Sequence, residues 1–192
     1  MTPFSTVVSE HLQIINKLEA CHQDIQLSSD MILSTFKANK KLLICGNGGS
    51  AADSQHIATE FVVRYETIRQ GLPAIALTTD SSILTAQPND YNFASVFSRQ
   101  IETLGHEGDC LIAISTSGNS TNIVEALKAA RIKKMNTIAL TGNDGGELEK
   151  LADHTVIVPS KTTARIQEAH ILIAHWWCQQ ADEAFSLKAT NT

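Results

Sequence analysis

Apolar and polar positions follow two textures along this chain. Over residues 4–38, apolar side chains recur at helical spacing among polar ones: Val7, Leu12, Ile15 and Leu18, then Ile25, Leu27, Ile32 and Phe36. This predicts N-terminal helices, with Ser28 or Ser29 placed to cap a second one. From Lys41 onward the texture changes to short, continuous apolar runs: KLLIC (41–45), PAIAL (73–77), DCLIAI (109–114), NTIAL (136–140) and HTVIV (154–158). Such runs suit parallel strands buried on both faces. Helical patterns at 50–65, 92–104, 121–133 and 144–152 separate them, and a last long helix is expected over 163–185. The alternation predicts an α/β fold, a doubly wound five-stranded parallel sheet with N-terminal helices and a long C-terminal helix. No repeat, low-complexity segment or linker interrupts the chain. One domain over 1–192 is expected, with 1–38 as a helical segment packed on it.

Composition narrows the partners. Hydrophobic residues make up 43%, enough for a full core. The formal net charge of −5 argues against nucleic acid or an anionic membrane held by bulk electrostatics. A phosphate group would need a local site of backbone amides and hydroxyls. Cys21, Cys45, Cys110 and Cys178 are widely spaced, which excludes a zinc knuckle or a redox pair and fits buried thiols in a reducing compartment. Residues 1–10 lack the basic-then-apolar pattern of a secretory signal, so a cytoplasmic location is expected. The longest apolar stretch, Ile171 to Cys178, is broken by His175 and is too short to span a bilayer.

Chemistry concentrates in two loops and two helices. In a doubly wound sheet, ligands sit beyond the carboxyl ends of the strands. Gly46-Asn47-Gly48-Gly49-Ser50 follows the first strand, and Ser115-Thr116-Ser117-Gly118-Asn119-Ser120 follows the third. Each opens a helix whose N-terminus favours an anion. The second loop offers four hydroxyls and no cation, which suits one phosphate monoester better than a triphosphate. Gly46, Gly48 and Ala51 also match a dinucleotide fingerprint, with Asp80 as its acidic residue; that residue comes late, and the match leaves the hydroxyl loop unused. His56 and Glu60, four apart, share a helix face and can hold a metal or act as acid and base. A surface hydrogen-bonded pair explains the same spacing. On the last helix, Gln167, Ile171 and His175 form a stripe beside Glu168 and His170. Burial among Ile171, Leu172, Ile173, Ala174, Trp176 and Trp177 would favour a neutral His175 imidazole.

The segments CGNGGSAADSQHIATEF (45–61), LTAQPNDYNF (84–93), GDCLIAISTSGNSTNI (108–123), ALTGNDGGEL (139–148) and RIQEAHILIAH (165–175) resemble the phosphoheptose isomerases. These are sugar-isomerase (SIS) domain proteins of flavodoxin-like topology, and the resemblance covers roughly residues 10–185. It implies conversion of sedoheptulose 7-phosphate to D-glycero-D-manno-heptose 7-phosphate through an enediol, the first step toward ADP-heptose for lipopolysaccharide core. It implies one zinc ion per subunit on His56, Glu60, Gln167 and His175, with Glu60 as catalytic base and His175 as acid. Substrate contacts fall on Asn47, Gly48, Gly49, Glu60, Asn89, Asp90, Ser115, Thr116, Ser117, Ser120 and Gln167. A homotetramer is also implied. Some members carry an aspartate just before the Arg-Ile-Gln run, where this chain has Ala164. A non-catalytic branch of the fold binds a replication-initiator protein; it lacks the glutamate and the final histidine retained here as Glu60 and His175. One tension is geometric: Gln167 and His175 lie about 12 Å apart along a straight helix, so one ion requires converging side chains, a bend or ligands from different subunits.

Overall fold

A computed structural model describes residues 1–186; the last six residues of the expected domain lie outside it. Five strands form one parallel sheet: β1 (Leu42–Gly46), β2 (Ala74–Ala76), β3 (Cys110–Ser115), β4 (Asn136–Thr141) and β5 (His154–Ile157). Their order, β2-β1-β3-β4-β5, is the flavodoxin-like winding. The helices are α1 (Phe4–Lys17), α2 (His22–Lys37), α3 (Gly49–Val62), α4 (Ser81–Asp90), α5 (Ser98–Leu104), α6 (Thr121–Ile132), α7 (Gly146–Leu151) and α8 (Thr163–Phe185).

The strand pleat sorts the core into two layers. Leu42, Ile44, Ile112 and Ile114 face one side, where they meet α2, α3 and α8. Leu43, Cys45, Leu111 and Ala113 face the other, where they meet α5, α6 and α7. Every residue of β1 and β3 is buried, as continuous apolar runs require. Along α8, Ile166, Ala169, Ile173, Trp177 and Ala181 form the buried stripe. Trp177 is sealed completely, and its indole N–H donates to the Ile25 carbonyl at 3.1 Å. The face of Gln167, Ile171 and His175 borders this stripe and stays half-buried.

Two expectations change. The helical segment 4–38 breaks at a 3-10 turn over Leu18–Cys21, so Ser28 and Ser29 sit buried inside α2 rather than capping it. Ser28 donates instead to the Asp24 carbonyl. Helix α4 was not expected. Asp80 opens it by accepting from the backbone N–H of Ser82 and Ile83 at 2.9 and 3.0 Å. The carboxylate that the dinucleotide fingerprint would use as its acidic residue is thus engaged through Oδ1 as a helix cap.

The fully buried histidine is His170, not His175. Its Nε2 lies 3.0 Å from the Thr141 carbonyl, so that nitrogen carries the proton, while Nδ1 is buried without a partner. Burial lowers its pKa from 6.5 to about 4. A neutral imidazole in the fold and a protonated one in the unfolded chain mean that this contribution is full above pH 6.5. It is lost as pH falls toward 4. Urea unfolding at pH 7 and pH 5 should show His170→Gln losing roughly 2 kcal/mol less stability than the wild type over that interval. Equal losses would show that His170 does not set this pH dependence.

Candidate functional site

The glycine loop after β1 is shaped for close approach. Gly48 has φ 55° and ψ −120°, a conformation that a side chain strains. A Cβ on Gly49 would lie 2.5 Å from Nε2 of Gln167 and push that flexible amide aside, so the glycine lets the amide rest against the start of α3. Asn47 exchanges two hydrogen bonds of 2.8 Å with Asn122 of α6. This reciprocal pair ties the glycine loop to the hydroxyl loop, and a buried Asn122 one residue inside α6 is the signal that the sequence reading passed over.

In the hydroxyl loop, Ser115 Oγ lies 3.0 Å from Ser120 Oγ and 3.5 Å from Ser117 Oγ. Ser120 is the N-cap of α6, yet its side chain makes no capping bond. Its hydroxyl therefore joins the other serines; the Ile123 amide turns back to the Ser120 carbonyl at 2.9 Å, and the amides of Thr121 and Asn122 are left to a ligand. Thr116 is half-buried beside them, its carbonyl accepting from Asn143 Nδ2 at 2.8 Å.

Further down, on the side of the sheet opposite α6, α3 and α8 bring a second group together. His175 Nε2 lies 3.2 Å from His56 Nε2, and His56 Nε2 lies 3.3 Å from Glu60 Oε1. Two imidazoles facing through Nε2 share at most one proton, so at least one nitrogen presents a lone pair. Among the described residues, no three His, Cys, Asp or Glu side chains close around one point, because the contacts run in a line from Glu60 through His56 to His175. The two separations nevertheless match adjacent corners of a zinc tetrahedron, about 3.3 Å for Zn–N bonds near 2.05 Å. Each neighbouring pair is thus spaced to share an ion, whereas the three do not converge on one point in a single chain. Gln167 remains at Gly49, seven residues or about 10 Å along α3 from His56. Tyr65, which no sequence pattern marked, stacks its ring on His175. Asn89 and Asp90 lie exposed at the end of α4, bonded to each other at 2.8 Å. Among the described residues neither bonds to either loop. Asp53, one turn before His56, keeps one carboxylate oxygen buried and unpartnered, and burial raises its pKa.

Residues 8–142 match the SIS domain family. The phosphoheptose isomerase of Aliarcobacter butzleri is 50% identical over 186 residues, spanning 95% of this chain and 98% of the relative. The solved phosphoheptose isomerase of Neisseria gonorrhoeae is 43% identical at a TM-score of 0.89, covering 94% of this chain and 97% of that one. That of Francisella tularensis is 36% identical at a TM-score of 0.87, covering 95% and 100%.

The hydroxyl loop yields a direct expectation. Calorimetric titration with inorganic phosphate should show affinity reduced at least about tenfold when Ser117 and Ser120 are both replaced by alanine, the loss of two charge-assisted hydrogen bonds. The melting temperature should hold. Unchanged affinity would remove this loop from the site.

Proposed function

The chain belongs to the phosphoheptose isomerases of the SIS-domain family and is an aldose–ketose isomerase, and we propose that Glu60 and His175 carry its proton transfers. The reaction interconverts sedoheptulose 7-phosphate and D-glycero-D-manno-heptose 7-phosphate. The observation that carries the reading is the meeting of His56, Glu60 and His175 from two helices distant in sequence. A surface pair needs only His56 and Glu60; the third member argues for chemistry. The non-catalytic regulator finds no support, since both residues that distinguish the enzymes are present and face the same histidine.

In this account the phosphate rests on Ser115, Thr116, Ser117 and Ser120, where hydroxyls and helix amides meet a dianion without a cation. Asn47, Gly48, Gly49 and Gln167 border the open chain, and Asn89 and Asp90 hold its hydroxyls. Glu60 takes the proton from the carbon beside the carbonyl and returns it to the neighbouring carbon of the enediol. His175 supplies a proton to the developing oxyanion and recovers it. His56, Glu60, Gln167 and His175 would hold one zinc ion, which when bound polarises the carbonyl as a Lewis acid.

We further propose that copies complete one another's sites in a homotetramer. Two observations support this. The Gly49–Gln167 contact and the histidine pair sit about 10 Å apart in one chain, too far for one ion. Helix α1 buries no residue and leaves Phe4, Val8 and Leu12 exposed at four-residue spacing. Among the described residues no helix is long and apolar enough to cross a membrane. We assign the enzyme to the cytoplasm, where its sugar phosphate substrate would be made.

Glu60→Gln keeps shape and an oxygen donor but removes the base. Substrate binding should hold while turnover falls at least about a hundredfold. The readout is exchange of substrate C1 hydrogen with deuterated water. Exchange at the wild-type rate in zinc-loaded Glu60→Gln protein would acquit Glu60 and move the role to His175 or Glu168.

A further inference from the structure

Between α3 and β2 the chain makes an excursion that is strapped to the end of α8. Asp182, in the last turn of α8, is 3% exposed and takes three donors. The backbone N–H groups of Glu66 and Thr67 reach Oδ2 at 2.7 Å each, and Arg69 Nε reaches Oδ1 at 2.6 Å. Arg69, itself buried, spans the other way. Its Nη1 donates to the Phe61 carbonyl at 2.8 Å, and its Nη2 donates to the Glu60 carbonyl at 2.7 Å. One guanidinium therefore closes the carbonyl end of α3 at the residue assigned as base. An antiparallel bridge between Arg69 and Ser186 secures the same segment.

This strap carries Tyr65. The phenol ring lies on the His175 imidazole with centroids 5.4 Å apart and planes at 28°, while the His56 ring meets the same imidazole edge-on at 5.1 Å and 60°. His175 is thus held between two aromatic rings, one on its face and one at its edge. The second torsion of a histidine is broad, so a half-buried imidazole left to itself samples many orientations. An offset-stacked neighbour selects one of them. The hydrogen bonds of the segment involve backbone groups, Arg64, Arg69 and Asp182, and none involves the Tyr65 hydroxyl among the described residues.

We propose that Tyr65 is a positioning residue whose ring, held in place by the Asp182–Arg69 clamp, fixes the His175 imidazole with Nε2 toward His56. The inference rests on the reading of His175 as a proton-transfer group. A displacement near 1 Å at such a group can cost up to about a hundredfold in rate. Loss of the stack should act on turnover, since Tyr65 lies behind His175 rather than in the loops that bind the phosphate.

The test compares Tyr65→Phe, Tyr65→Leu and His175→Asn in the zinc-loaded, full-length enzyme. Tyr65→Phe should retain at least half of wild-type kcat, because it keeps the ring. Tyr65→Leu fills similar space without a ring; its kcat should fall about tenfold with KM within threefold and Tm nearly unchanged. The nuclear magnetic resonance signal of the His175 Cε1 proton should lie upfield in wild type and Tyr65→Phe, and lose that ring-current shift in Tyr65→Leu. Wild-type turnover in Tyr65→Leu, together with inactive His175→Asn, would overturn the positioning role alone. Equal losses in Tyr65→Phe and Tyr65→Leu would overturn it in favour of the hydroxyl. A Tm that falls in step with kcat would reduce it to packing. Full turnover in His175→Asn would remove the catalytic reading of His175 and this inference with it.

Discussion

Helices α3 and α8 lie side by side against one face of the sheet, and what their seam admits decides which polar groups can meet. At the upper end, Gly49 admits the Gln167 amide, which a Cβ there would displace. Two turns lower, His56 and His175 face each other at 3.2 Å. The buried stripe of α8, sealed by Trp177, Ile173 and Ala174, fixes the rotation of that helix. A shift of one residue along either helix would turn these side chains by about 100° and dissolve both meetings. The chemistry thus depends on apolar packing that takes no part in it.

The buried charges serve the same seam from its lower end. Burial alone would raise the Asp182 carboxyl, but the amides of Thr67 and Glu66 and the Arg69 guanidinium hold it below the ordinary carboxylate range. Breaking such a pair leaves an uncompensated buried charge, a loss of about 3–5 kcal/mol. The same amino-terminal end of the sheet carries a comparable device. There Asp109 takes the Lys41 ammonium and the amides of Lys41 and His106, which overcome its burial. It lies away from the site and ties the entry of β1 to β3.

Much of the fold was legible because buried parallel strands have little freedom in sequence. KLLIC, DCLIAI and NTIAL each fell within a residue of a strand, and the long last helix was expected at the bounds of α8. Helix α4 escaped because its apolar positions are few and Pro88 sits inside it, although Asp80 was a readable cap. The site was legible where a motif is contiguous, as in the two loops and the His56–Glu60 pair. His170 and His175 were harder to tell apart, since a helix rich in apolar residues does not say which histidine lies in the stripe. Tyr65 and Asp182 left no local pattern at all. Their roles come from the path of the chain between α3 and β2, which periodicity does not encode.

One chain therefore presents an anion cradle at the carboxyl end of the strands and a proton-transfer group further down between α3 and α8, and the proposed assembly joins them across copies. Mixed assemblies test that claim most directly. His175→Asn disables the proton-transfer group; Ser120→Asp keeps a good helix cap but sets a carboxylate against the substrate phosphate. Each variant alone should be inactive. Co-expressed with two different affinity tags and purified through both, the mixed assembly should regain isomerase activity on sedoheptulose 7-phosphate, because an intact cradle and an intact pair then meet. Mixed assemblies as inactive as their parents would contradict a site shared between copies.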